Sequence, residues 1–255
     1  MRERILFLDR DGTLNRSLGR RPPNIPDEVE LLPNVGPVLE RYAGEGWRLV
    51  IVTNQGGVAQ GFLSEARAQA VLQQTIDLLP VAVDGAHLCP HMAHARLPRY
   101  ALDCPNRKPR PGFILQELER FAARPENCLF VGDSLTDRQA AEAAKVPFCW
   151  ADTFFGRPID RGMRTRKGRW FQVQEVFPGA DAPLRLVALV RGKEVGAGEL
   201  VVPADGEPER PFEVHVSAVQ DRAEIEDALR EAARDWLERV CRSDPSHLHC
   251  SAARR

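Results

Sequence analysis

The chain has 255 residues, 43% of them hydrophobic, and sets 35 Lys and Arg against 36 Asp and Glu. Such a composition excludes the disordered, collagenous and membrane-spanning classes and leaves room for one large domain, or a main domain with a smaller one. A formal net charge of −1 gives no whole-chain attraction to nucleic acid or an anionic membrane.

The first apolar stretch is Ile5 to Leu8, too short for a signal peptide. With six cysteines spread along a chain long enough to fold without staples, reduced thiols or metal ligation are expected over a disulfide framework. The expected location is the cytoplasm, with no membrane partner. Short continuous apolar runs at Ile5–Leu8, Arg48–Val52, Val83–Leu88, Cys128–Val131 and Val146–Trp150 read as strands buried on both faces of a parallel sheet. Helical patterns lie between them at Val35–Ala43, Ser64–Leu79, Phe113–Ala123 and Thr136–Ala144. The order predicts an α/β fold with a parallel sheet for residues 1–155.

After Trp150 the texture changes. The stretch from Gly156 to Trp170 carries six basic residues (Arg157, Arg161, Arg164, Arg166, Lys167 and Arg169) against one acidic residue, Asp160. It is expected to be a basic linker, residues 156–169. Strands are then predicted at Trp170–Val176, Leu184–Val190, Glu199–Val202 and Phe212–Val219. Asp221 and Glu224 resemble a capping box before a helix whose apolar stripe is Ile225, Ala228, Leu229, Ala232, Trp236, Leu237 and Val240. Residues 170–242 are therefore expected to form a small α+β unit, and residues 243–255 a disordered tail holding Cys250, His247 and His249. Cys128 and Cys149 read as core thiols.

The chemistry concentrates at strand ends. Ile5–Leu8 runs into Asp9-Arg-Asp11-Gly-Thr13-Leu-Asn15, Arg48–Val52 into Thr53-Asn54-Gln55-Gly-Gly, and Cys128–Val131 into Gly132-Asp133-Ser-Leu-Thr-Asp137. By itself Asp-x-Asp-Gly is equally a turn. Three such loops side by side at the carboxyl edge of a parallel sheet converge carboxylates, a hydroxyl and exposed amides on one spot. Carboxylates gathered there repel unless a hard cation sits among them, and oxygen-only donors point to magnesium. Lys108 adds a positive side chain. The set suits a phosphoryl group: a carboxylate to attack it, cations to neutralise it and donors to hold its oxygens.

These motifs, Asp9-Arg-Asp11-Gly-Thr13, Thr53-Asn54, Lys108 and Gly132-Asp133-Ser-Leu-Thr-Asp137 in that order, resemble the haloacid dehalogenase superfamily of phosphohydrolases. The resemblance implies its Rossmann-like doubly wound sheet. It also implies Asp9 as nucleophile, forming an aspartyl-phosphate, and Asp11 as acid then base, with Thr53 and Lys108 holding phosphoryl oxygens. Magnesium would be held by Asp9, Asp133 and the backbone carbonyl of Asp11; Asp137 either orients this group or merely favours its helix start. The longer strings Asp9 to Asn15, Val52 to Gly61 and Arg107 to Gly112 resemble the capless phosphatases of heptose 1,7-bisphosphate and histidinol phosphate. With 41 residues between Asp11 and Thr53 and 54 between Thr53 and Lys108, no large lid fits. Asn54 and Arg107 are then expected to contact phosphate or substrate hydroxyls, and the partner is a small phosphorylated metabolite.

That subfamily carries a zinc loop of the form Cys-x-His…Cys-x-Cys. Here it reads Cys89-Pro-His91 and Cys104-Pro-Asn106, so zinc on Cys89, His91 and Cys104 would need a fourth donor, with His94 and Asp103 as candidates, or the loop holds no metal. A polynucleotide 3′-phosphatase shares the four motifs, and the basic linker then becomes a phosphate track for a nucleic-acid partner. A catalytically silent binding module is the third reading. The sequence does not set the oligomeric state.

Overall fold

The computed structural model describes residues 3–18, 21–176, 184–191, 193–200, 213–218 and 220–243. The chain divides into two compact units, Met1–Ala151 and Asp152–Arg255.

In the first unit the elements in chain order are β1 (Ile5–Leu8), α1 (Val35–Gly44), β2 (Arg48–Asn54), α2 (Gly56–Ala59), α3 (Glu65–Leu78), β3 (Gly85–Cys89), α4 (Gly112–Arg120), β4 (Leu129–Gly132), α5 (Leu135–Ala143) and β5 (Phe148–Trp150). The five strands form one sheet in the order β3-β2-β1-β4-β5, and every pair is parallel. β1 is central and all four of its residues are buried, because its side chains on both faces meet apolar layers. On one face Ile5 and Phe7 pack with Val50, Val52, Ile114 and Phe130, and the rings of Phe7 and Phe130 stack 6.2 Å apart. Burial of each such side chain contributes about 1.5–3 kcal/mol.

Register and caps fix where the loops emerge. Leu8 pairs with Ile51 and Val131, so the residues after β1, β2 and β4 leave the sheet side by side. Ser64 caps α3 by accepting the Arg67 amide at 3.2 Å. Ser134 and Asp137 form a reciprocal capping box at the start of α5. Among the described residues, the segments between Asp11, Thr53 and Lys108 hold α1, β2, α2, α3, β3 and single-turn helices, with no separate lid domain.

The second unit begins with α6, whose residues Ala151–Phe154 straddle the division, and continues with β6 (Asp160–Arg164), β7 (Trp170–Val176), β8 (Leu184–Val190), β9 (Lys193–Leu200), β10 (Glu213–Val216) and α7 (Arg222–Ser243). Its sheet is an antiparallel meander in the order β10-β9-β8-β7-β6, and α7 packs on β7 to β10. Ile225, Ala228, Leu229, Ala232 and Ala233 are its buried face. Trp236 and Leu237 are only half-buried, and the Val240 side chain lies outside the described residues, as do Cys250, His247, His249 and the tail from 244 onward.

The expected basic linker is corrected here, because residues 160–164 are a strand paired with β7. Ile159, Arg161 and Met163 point inward and are buried; the alternation was masked because its central inward residue is an arginine. Arg161 is accommodated by Asp152, at 3.0 Å, and Asp235, at 2.7 Å. The strand expected at Glu199–Val202 begins instead at Lys193. A Cβ at Gly196 would meet Val216 Cγ2 at 2.9 Å, so the glycine permits the approach of β10. Asp221 does precede α7, with its carbonyl accepting the Ile225 amide, but the Glu224 carboxylate accepts the amide of Arg166 at 2.7 Å.

Candidate active site

Asp9 follows β1 directly, and its amide donates to the Val131 carbonyl at 3.0 Å, which fixes it over the boundary between β1 and β4. Lys108, 3% exposed, donates to Asp9 Oδ1 at 2.6 Å and to the Val52 carbonyl at 2.7 Å. Its Nζ also lies 2.6 Å from Asp137 Oδ1. Asp133, half-buried, completes the acidic group: Asp9, Asp133 and Asp137 each offer an oxygen, all within 4.8 Å of one another. The loop between Asp9 and Asp133 can close this tightly because residue 12 is glycine, with φ 81°; a Cβ there would overlap Asp133 Oδ2 at 1.9 Å.

Electrostatics mark the spot. Burial pushes the Asp9 carboxyl up to about 7; Lys108 opposes the rise, and Asp137 and Asp11 add to it. Burial, then Asp9 and Asp137, likewise hold Asp133 well above the usual carboxylate range. Burial works against the Lys108 charge, yet Asp137 and Asp9 outweigh it and hold the ammonium above its ordinary value. Four carboxylates (Asp9, Asp11, Asp133, Asp137) face two buried cations (Lys108 and Arg10), a formal surplus of two negative charges. A divalent cation matches that surplus, and the donors are all carboxylate oxygen, so the residues fit magnesium.

The other expected residues fall around this group. Thr53, buried at the end of β2, accepts from Gln55 Nε2 at 2.9 Å. The Asn54 carboxamide is committed to the Lys108 backbone, donating to its carbonyl at 2.9 Å and accepting its amide at 3.1 Å. Asn54 therefore pins the lysine loop to β2. Arg107 is half-buried; burial lowers its guanidinium below the ordinary value, with Cys89 and Cys104 working the other way, and its Nη1 is buried with no hydrogen-bond partner among the described residues. Asp137 closes the α5 capping box and pairs with Lys108.

Asp11 has a separate setting that the residue pattern did not reveal. Its carboxylate accepts from Arg10 Nε at 3.0 Å and Nη2 at 2.9 Å, from Asn15 Nδ2 at 3.1 Å and from Gln55 Nε2 at 2.7 Å. Arg10, Asn15 and Gln55 are all buried. They lie inside the strings quoted above, where no role was assigned to them; the available signal was an arginine between two carboxylates at the end of a buried strand.

A second cluster sits at the end of β3. Cys89, His91 and Cys104 place ligand atoms within 4.8 Å of one another, with Cys89 Sγ 3.9 Å from His91 Nδ1. Burial pushes the Cys89 thiol up to about 11. Among the described residues neither His94 nor Asp103 joins it: Asp103 is an exposed partner of Arg110, and the Asn106 carboxamide oxygen packs over Gly112. The cluster thus has three protein donors, one short of a closed tetrahedral set.

The model of the haloacid dehalogenase-like hydrolases matches residues 20–145. D-glycero-β-D-manno-heptose-1,7-bisphosphate 7-phosphatase of Haemophilus ducreyi is 35% identical over 150 residues, 57% of this chain and 81% of that one. The enzyme of the same name from Rhodopseudomonas palustris is 32% identical, over 60% of this chain and 84% of its own. A crystal structure from Mesorhizobium loti, described as a HAD-like phosphatase, superposes with a TM-score of 0.53 at 35% identity and covers 57% of this chain and 70% of that one. With its parallel sheet, strand-end carboxylates and buried lysine, the chain belongs to the haloacid dehalogenase-like hydrolases, as one of their phosphatases.

Proposed function

We propose that the protein hydrolyses a phosphomonoester of a small phosphorylated sugar of the heptose 1,7-bisphosphate class, with magnesium, through a phosphoryl group carried on Asp9. The observation that carries this reading is the buried pair Lys108–Asp9 at 2.6 Å inside the group Asp9, Asp133 and Asp137. Asp9 attacks phosphorus, and the bond from phosphorus to the leaving oxygen breaks as Asp11 delivers a proton to that oxygen. Asp11 then accepts a proton from water as the water attacks the aspartyl-phosphate, which frees phosphate and restores Asp9. Lys108 and the Thr53 hydroxyl hold the phosphoryl oxygens while charge builds on them. Asp9 and Asp133, with Asp137 beside them, would hold magnesium, which would supply charge neutralisation for the nucleophile and the phosphoryl group. The backbone carbonyl of Asp11 is the further magnesium ligand that the family resemblance implies, and Asp137 lies beside Asp9 and Asp133 while also pairing with Lys108.

The sugar substrate is supported by the relatives named above and by a site with no separate lid domain among the described residues. Arg107, with a buried unpartnered Nη1, is our candidate for the distal substrate anion. Zinc on Cys89, His91 and Cys104 would draw its fourth ligand from solvent, and metal analysis of the purified chain decides its presence. The nucleic-acid reading is the less supported one among the described residues: Arg157 and Arg161 are buried, and of the exposed Arg166, Lys167 and Arg169 the last pairs with Asp221 at 3.4 Å. The test is phosphate release with magnesium from a panel of heptose 1,7-bisphosphate, histidinol phosphate, common sugar and nucleotide monophosphates and a 3′-phosphorylated oligonucleotide. A kcat/KM for the heptose bisphosphate at least about a hundredfold above the rest is expected; preference for the oligonucleotide would overturn the substrate assignment.

A further inference from the structure

We infer that Arg10 is the positioning residue of the acid–base group: its guanidinium fork fixes the plane and direction of the Asp11 carboxylate during proton delivery. This rests on the reading of Asp11 as acid and base made above. Arg10 is 0% exposed, the largest fully buried side chain described. It grips its own neighbour with two bonds, Nε to Oδ1 at 3.0 Å and Nη2 to Oδ2 at 2.9 Å. The loop is folded to allow it, since the amides of Leu14 and Asn15 both converge on the Arg10 carbonyl, at 2.8 and 3.0 Å, and that curl carries the Asn15 amide group to Asp11.

Holding the chain in this turn does not require a buried guanidinium. Burying one costs several kcal/mol unless it is well paired, and here Nη1 is buried with no hydrogen-bond partner among the described residues. An apolar side chain would fill the same space without that cost. What the arginine adds is control of a carboxylate. With Arg10 and Asn15 on Oδ1 and Arg10 and Gln55 on Oδ2, all of its roughly four lone-pair positions are occupied, so the group cannot rotate. Gln55 Nε2 divides its two hydrogens between Asp11 Oδ2 at 2.7 Å and Thr53 Oγ1 at 2.9 Å, and Asn15 reaches Oδ1 alone. Arg10 is the one donor that grips both oxygens.

A misdirected acid matters only when the leaving oxygen needs a proton. The test compares kcat/KM for an alkyl phosphate, whose alkoxide needs one, with 2,4-dinitrophenyl phosphate, whose phenolate does not. Arg10→Met should lower the first by about a hundredfold, within the range of acid–base catalysis, and the second by less than about fivefold; Arg10→Lys should show the same bias, more weakly. Equal losses on both substrates, or no loss on either, would overturn the inference. If Arg10→Met does not fold, as judged by its melting curve, Arg10→Lys, which keeps the charge and length, carries the same comparison. Asp11→Asn separates the two readings: if it shows the bias and the Arg10 variants do not, Arg10 alone is misassigned. If Asp11→Asn shows no bias, the acid–base role of Asp11 fails with it.

Discussion

Lys108 is the residue on which the site's charge balance turns. It sits between Asp9 and Asp137 with its side chain 2% exposed, and removing one partner of a buried ion pair leaves the others uncompensated. Lys108→Met should therefore lower stability by about 3–5 kcal/mol in denaturant unfolding, while a change at the exposed Lys167 should stay within about 0.5 kcal/mol. A pH dependence follows from Asp9. Its carboxyl is raised from 3.8 to about 7, so between those values the folded state holds a proton that the unfolded state has released. Stability of the metal-free protein from this group is thus full below about 4 and declines as pH rises toward 7. A cation competes with that proton. Added magnesium should raise Tm little at pH 5 and by several degrees at pH 8, at roughly 3 °C per kcal/mol; an equal shift at both would contradict the assignment of Asp9 as a ligand. At this scale Asp9, Asp133 and Lys108 were legible because each stands at the end of a buried apolar run or in a motif of fixed order. Arg10 and Gln55 were not, because a polar residue in a loop is ordinarily solvated and only the folded turn shows these two buried.

At the scale of elements, β2 and the lysine loop are tied by a single side chain. Asn54 makes two bonds to the Lys108 backbone, each worth about 1 kcal/mol, so Asn54→Ala should cost about 2 kcal/mol and reduce kcat through a misplaced lysine. A stability loss with kcat intact would return Asn54 to a plain structural role. In the second unit, Arg161 of β6 joins Asp152 of α6 to Asp235 of α7, and burial holds Asp235 above the usual carboxylate range against the pull of Arg161. Arg161→Met strands the buried Asp152 and the half-buried Asp235 and should cost about 3 kcal/mol. β6 also shows where sequence patterning fails. Inward positions are recognised by being apolar, and a buried charge made tolerable by partners nine and 74 residues away along the chain carries no local signal. The five parallel strands of the first unit, by contrast, are apolar on both faces and stood out as continuous runs.

The whole molecule is nearly neutral, with a net charge of −1, and the segment richest in arginine has two of those arginines buried and a third paired. No described helix is long and apolar enough to cross a membrane. A protein that tracked a nucleic-acid backbone through 6–10 phosphate contacts would lose about 10³–10⁵ in affinity between 50 and 200 mM salt. The account predicts a change below about tenfold in kcat/KM for the sugar phosphate over that range, and a steeper loss would revive a polymer substrate. All the candidate catalytic residues, from Asp9 to Asp137, lie within the first unit. The central claim is that Asp9 is the attacking group of a magnesium-dependent phosphatase. Phosphate release from heptose 1,7-bisphosphate by the native protein beside Asp9→Asn tests it most directly. Turnover by the native protein and a fall of about 10⁴-fold or more in the folded variant are expected; a variant that keeps more than about a tenth of the native rate would contradict the account.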